Sequence, residues 1–271
     1  MITADDRKKL VNWCYHFVDH CRLSRESVAS AMEMVDRFLS TASMNISNSA
    51  DADAVRAVCE EALRDQSKLQ LLTVAALYLS IKINERVAVP SDLFSEMCSG
   101  AYSTEEIEAM ERILLSGLSW RCHAPTAHQV GLSILSLILP FVDIPEDTWG
   151  FLMDETKYLI ELTVLNYDFS IQRTSTVALA AVHNAIGEIR CKGHQEMLRL
   201  YLSVIMECYY SDHSEQIINE VRRKLQSLLI HEDDDDESSL DEGSLGLEDS
   251  LKAFKTSISP SRSSRDVMTF N

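Results

Sequence analysis

Thirteen consecutive residues, Leu69 to Ile81 (LQLLTVAALYLSI), carry no charge, and Lys82 follows them directly. The run holds neither proline nor glycine, so nothing in it breaks a helix. A helix that is apolar on every side has no face to turn to water and must be covered by other elements. Wound as a helix it rises only about 20 Å, short of the ~30 Å hydrocarbon core of a bilayer, so it reads as a buried helix rather than a membrane span. Lys82 is the anomaly, because an ammonium at the edge of such a helix is costly unless a partner satisfies it. Glu111 stands in a second apolar helix, IEAMERILLSGL. The two charges are candidates for contacting a partner molecule rather than for chemistry.

The rest of the chain repeats this character. Its 271 residues include only five prolines and eight glycines, with apolar residues at helical spacing almost throughout and no alternating β-branched stretch, so the fold class is all-α. Proline and capping signals divide it into helices over 7–21, 25–40, 69–84, 91–97 and 104–118, a hinge near Pro125, then helices over 126–139, 146–167, 174–189, 194–210 and 214–229. Five helices followed by five of similar length predict two modules, 1–122 and 123–230. The connection over 41–68 is unusually long, and its DADAVRAVCEEALRD portion has the composition of an extra short helix.

Charge is spread unevenly. Of the formal net charge of −17, residues 231–250 hold −10 and residues 251–271 hold +3, which leaves −10 on the body. An acidic body repels phosphate backbones and speaks against nucleic-acid binding. Residues 231–271, rich in Asp, Glu and Ser, form a tail expected to be disordered. The N-terminus MITADDRKKL does not read as a secretory leader, and seven irregularly spaced cysteines fit a reducing compartment, so a nuclear or cytoplasmic location is expected.

Catalytic patterns are absent. His16 and His20 share a helix face in WCYHFVDHC, but the glutamate of a metalloprotease helix is missing, and packed or surface side chains are the expected role. No glycine-rich phosphate loop and no Gly-x-Ser-x-Gly elbow occurs. Neither enzymatic activity nor a cofactor or metal is expected.

Positive signals lie in the first five-helix block, in this order: Arg7-Lys8-Lys9-Leu10-Val11-Asn12-Trp13, Val35-Asp36-Arg37-Phe38-Leu39-Ser40, Leu69-Gln70-Leu71-Leu72 running to Lys82-Ile83-Asn84-Glu85, and Tyr102-Ser103-Thr104 leading to Met110-Glu111. Together they resemble the cyclin box. The second block, opened by Ala124-Pro125-Thr126, resembles a cyclin C-terminal module more loosely. The resemblance spans roughly residues 5–210 and implies two tandem cyclin-fold modules, with 41–68 about twenty residues longer than the family's usual connection.

Five residues that characterise the family's box stand here as Arg7, Asp36, Leu71, Lys82 and Glu111. The resemblance implies that Arg7 and Asp36 form a structural ion pair. It implies that Lys82 and Glu111 hold the backbone of the αC helix of a cyclin-dependent protein kinase, with Ile83, Leu115 and Trp120 packing around that helix. The partner is then the kinase, in a heterodimer, and the function is to activate it, with a role in cell-cycle progression. Kinase substrates or inhibitors are further partners if Leu10, Trp13 and Gln70 form the family's substrate-docking patch, although Asp6 and Lys9 replace apolar members of it. In the tail, Ser259-Pro260-Ser261-Arg262 fits a proline-directed kinase and marks Ser259 as a candidate phosphorylation site. The alternatives are a cyclin of a transcriptional or nutrient-responsive kinase and, more remotely, a IIB-like transcription factor.

Overall fold

A computed structural model describes residues 3–41, 52–86 and 89–236. Among them are eleven α-helices and no strand. The first module holds α1 (Ala4–His20), α2 (Glu26–Ser40), α3 (Ala52–Ala62), α4 (Gln66–Asn84), α5 (Ser91–Met97) and α6 (Thr104–Gly117). The second holds α7 (Ala127–Ile138), α8 (Glu146–Leu165), α9 (Thr174–Gly187), α10 (Lys192–Tyr209) and α11 (Glu215–Asp236). The five-plus-five pattern is present, and α3 is the extra helix within the long connection. Its inward residues Val55, Val58, Cys59 and Ala62 are buried, so α3 packs as part of the module.

Helix starts follow local chemistry. Thr3, Ser103 and Thr126 each form a capping box with Asp6, Glu106 and Gln129, satisfying amide donors that the first turn leaves without partners. The uncharged run lies in α4, where Leu72, Val74, Ala75, Leu77 and Ile81 are buried on every side between α2, α6 and α3. The second module repeats the arrangement around α9, against which α7, α8, α10 and α11 all pack. The run of small residues Ala178, Ala180, Ala181 and Ala185 lets those helices approach closely. Gly117 does the same where α6 meets α2 and α3, since a Cβ there would lie 2.5 Å from Phe38 Cε2 and 3.1 Å from Val55 Cγ1. Gly117→Ala should therefore lower the unfolding free energy by about 1–3 kcal/mol in urea titrations, through overpacking against an immobile ring.

Three boundaries differ from the sequence expectation by three residues or more, and one of them is the start of α1 at Ala4 rather than Arg7. α4 begins at Gln66 rather than Leu69 because the Asp65 side chain caps it by accepting from the Ser67 amide. α11 reaches Asp236, six residues beyond the expected end of the body at Ile230. The expected disorder of the remaining tail, and Ser259 with it, lies outside the described residues.

Polar contacts join the modules. Arg25 Nε lies 3.0 Å from Glu161 Oε2, while Glu26 receives the Thr126 hydroxyl at 3.2 Å and lies 3.2 Å from His128 Nδ1. The His128 hydrogen bond holds the Glu26 carboxyl below its ordinary value of 4.5, outweighing partial burial, which acts the other way. A carboxyl depressed in the folded state contributes stability that is complete above 4.5 and lost as pH falls through the depressed value. Glu26→Gln should thus lose less stability than the natural chain as pH falls through and below 4.5, measured by urea unfolding at each pH.

Candidate functional site

α4 and α6 lie side by side and bring the two singled-out charges together. Lys82 Nζ donates to Glu111 Oε1. The ammonium also sits 4.4 Å from the centroid of the Tyr78 ring, one helical turn earlier on α4. The side chain of Glu111 is 11% exposed and that of Lys82 36%. The lysine head therefore reaches the surface while the carboxylate stays behind it, nearly dry. Sequence reasoning treated the two as separate contacts and passed over Tyr78, whose i, i+4 spacing to Lys82 was the available signal.

The pair is satisfied without being saturated. A lysine ammonium has three donors, and one is used on Glu111; the carboxylate keeps a second oxygen able to accept. Such a pair can offer donors and an acceptor together to an incoming backbone, at an orientation fixed before the partner arrives.

Apolar side chains flank it. Ile83, next to Lys82, is exposed; Leu115, one turn beyond Glu111, is half-buried against the first core. Leu118 is fully part of that core. Trp120 is 76% exposed. It is held by a tight end to α6, in which the Trp120 amide donates to the Leu115 carbonyl at 2.9 Å and the Ser119 amide to Ser116 at 3.0 Å. That turn puts Ser119 at φ 51° and Trp120 at φ 61°, a left-handed conformation that bulky residues avoid. An indole projected into water by a strained turn is an unfavourable arrangement for a monomer, and burial against another surface would relieve its exposure.

Arg7 and Asp36 meet in a forked pair, Nε to Oδ1 at 3.3 Å and Nη2 to Oδ2 at 2.7 Å. The remaining guanidinium nitrogen donates to the carbonyl of Val164 in α8, 2.5 Å away. One residue thus ties α1 to α2 and the first module to the second, and the planar guanidinium suits this because its donors point along fixed directions. Nothing in the sequence signalled Val164, a backbone carbonyl 157 positions away. Beside this contact runs a cleft of about 1100 Å³ between the modules, lined by Met32, Val35, Ile160 and Val177 among others.

The three residues of the expected docking patch are placed differently. Leu10 and Trp13 belong to the first core and Gln70 is buried at the start of α4, so they form no open apolar surface. Asp6 contributes to this closure: it stands at the N-terminal end of the patch helix, buried, accepting from Gln66 Nε2 at 2.8 Å and from Thr3. Among the described residues no three His, Cys, Asp or Glu side chains are grouped to hold a metal ion, and no helix is long and apolar enough to cross a membrane.

Family comparison accounts for both modules. The family "Cyclin, N-terminal domain" matches residues 1–123, and "Cyclin, C-terminal domain" matches residues 146–242. The chain belongs to the cyclin family. It is 23% identical over 231 residues to the G2/mitotic-specific cyclin-B3 of Gallus gallus, a match covering 85% of this chain and 48% of that protein. With the G2/mitotic-specific cyclin-B2 of Mesocricetus auratus it shares 28% identity over 177 residues, 65% of this chain and 37% of that one. This cyclin spans about half the length, or less, of the curated relatives it matches first. Among solved structures, a viral cyclin from herpesvirus saimiri superposes with a TM-score of 0.57 at 15% identity, covering 84% of this chain and 89% of that one. A chain of the CAK complex from Chaetomium thermophilum, solved bound to ATP-γ-S, gives 0.54 at 18% identity over 84% of this chain and 65% of its own. These likenesses show the tandem cyclin fold.

Proposed function

We propose that this cyclin is the regulatory subunit of a cyclin-dependent protein kinase, binding it and holding its αC helix in the active position. The observation that carries the reading is the Lys82–Glu111 pair, joined to each other yet with hydrogen-bonding capacity left over, and flanked by exposed Ile83 and Trp120. Lys82 would donate to carbonyls at one end of the kinase helix and Glu111 would accept from amides, while Ile83, Leu115 and Trp120 cover its apolar side.

Activation then follows from differential binding. In a protein kinase a lysine and the αC glutamate must pair before phosphoryl transfer proceeds. A subunit that binds only the αC-in state raises that state's population by as much as its affinity for the two states differs. Raising the active fraction from 1% to 99% needs a difference of about 5.5 kcal/mol, within reach of a protein interface. Similarity to G2/mitotic-specific cyclins favours a role in cell-cycle progression, exercised in the nucleus or cytoplasm. The test is capture of recombinant cyclin-dependent kinases by the full chain, followed by assay of the captured kinase. A stimulated kinase supports the reading, and failure to bind any of them defeats it.

A further inference from the structure

α9 is buried along most of its length, and in its C-terminal half only His183 and Gly187, one turn apart, reach solvent. Arginines from two other helices stand on either side of His183. On α11, Arg222 Nε donates to Asn184 Oδ1 at 3.1 Å and Nη1 donates to Asn219 Oδ1 at 3.0 Å. Asn184 is 4% exposed and returns a bond to the Arg222 carbonyl at 3.1 Å, so this guanidinium is held in one plane while Nη2 keeps its donors. α10 follows α9 after a short turn, and Gln195 Nε2 fixes its register by donating to the Gly187 carbonyl at 2.6 Å. One turn back from Gly187 along α9 is His183, and one turn on from Gln195 along α10 is Arg199, which places Arg199 beside His183. Burial, and then the guanidiniums of Arg222 and Arg199, hold the His183 imidazole below its ordinary value of 6.5.

The neighbouring acids are engaged elsewhere or stand apart. Among the described residues no carboxylate lies within ion-pair distance of Arg199 or Arg222. Glu220 pairs with Lys224 at 3.2 Å. Glu188 lies toward Glu155 of α8, whose carboxyl is raised by burial and then by Glu188. Glu196, one turn before Arg199, is exposed to water. The acidic run from Glu232 begins ten residues past Arg222, about 15 Å along α11 and beyond the ~8 Å screening length of physiological salt. Arg190, Lys192 and Arg223 are further cations in the same stretches of chain. Two guanidiniums facing one imidazole without a counter-ion repel one another, and an anion between them removes that repulsion.

We propose that Arg199, Arg222 and His183 form a receiving site for a phosphorylated serine or threonine side chain of a partner protein. Two guanidiniums match the charge of about −1.5 to −2 on a phosphomonoester, whereas a carboxylate would leave one of them uncompensated. Their planar donors suit its oxygens. The net charge of −17 opposes a nucleic acid but tolerates a single phosphoryl group. Arg199 is exposed and a side chain added at Gly187 would meet open space, so there is room for the chain that carries the phosphate and no enclosure for a free one. The inference is independent of the kinase-binding reading, since it uses neither α4 nor α6.

The test follows the His183 ring proton of the full chain by NMR, identified by its loss in His183→Gln. The probes are the capped peptide Gly-Gly-phosphoserine-Gly-Gly, its unphosphorylated form and inorganic phosphate. The phosphopeptide should move the resonance saturably, with half-saturation at about 1 mM from two charge-assisted contacts, and raise the pH at which His183 titrates. The unphosphorylated peptide should do neither. Arg199→Gln, an exposed change whose fold is checked by urea unfolding, should weaken the phosphopeptide about tenfold, whereas Arg223→Gln should alter it less than about twofold. An unmoved His183 resonance would overturn the proposal. So would equal losses in Arg199→Gln and Arg223→Gln, which assign diffuse charge, or inorganic phosphate binding as tightly as the phosphopeptide, which assigns a free ion.

Discussion

Arg7→Ala is expected to destabilise the protein by about 3 kcal/mol, the lower end of the ~3–5 kcal/mol seen when one partner of a buried pair is removed. The lower end applies because the Asp36 side chain is still 23% exposed, against 10% for Arg7, and water can partly solvate the abandoned carboxylate. The Val164 carbonyl loses its guanidinium donor at the same time, so the cost falls on both modules. Urea unfolding of Arg7→Ala, Asp36→Ala and the double variant gives the pair's coupling free energy directly. A coupling above about 1 kcal/mol is expected, whereas a value near zero would make it an ordinary exposed ion pair. Arg7→Lys should recover only part of the loss, because an ammonium cannot fork onto both carboxylate oxygens while also reaching Val164.

Binding of a cyclin-dependent kinase should weaken by about 2–5 kcal/mol in Lys82→Ala or Glu111→Ala, or roughly 30-fold to several thousand-fold in Kd. The two substitutions should be far from additive. Removing either one frees the other from the pair, so the second loss is already largely incurred. Trp120→Ala separates interface from core. The indole is 76% exposed, so its removal should change unfolding free energy by less than about 0.5 kcal/mol while still weakening kinase binding. Titration calorimetry or surface plasmon resonance against one kinase reads the binding, and urea unfolding reads the stability. If Lys82→Ala and Glu111→Ala bind as well as the natural chain, the αC-docking reading fails. If Trp120→Ala unfolds the protein, the residue is core and does not belong to the binding face.

Much of the fold was legible in the sequence because its signals are local. The uncharged run around Leu77 announced a central helix, and prolines and capping signals marked the breaks before α5, α6 and α8, whereas the Thr3 cap that starts α1 three residues before Arg7 went unread. The extra helix α3 was visible in composition alone. The site was legible only in part. Lys82 and Glu111 stood out as charges in apolar helices, but that they bond each other depends on α4 and α6 lying side by side. The placement of the expected docking patch was not legible for a similar reason. Leu10, Trp13 and Gln70 have suitable side chains for a groove, but packing around α1 and α4 buries them, and burial is a property of neighbours rather than of the residue.

The sequence by itself determined an all-helical chain in two modules and singled out Lys82 and Glu111 as charges in apolar helices. It could do so because helix formation, capping and amphipathic spacing are decided within a few residues of chain. Only the tertiary structure decided that Arg7 clamps the modules through Val164, that Lys82 and Glu111 form one unit over Tyr78, and that Trp120 rather than Leu118 faces outward. Each of these depends on which atoms of distant segments come within a few ångströms, and such distances are set by packing, which local sequence does not encode.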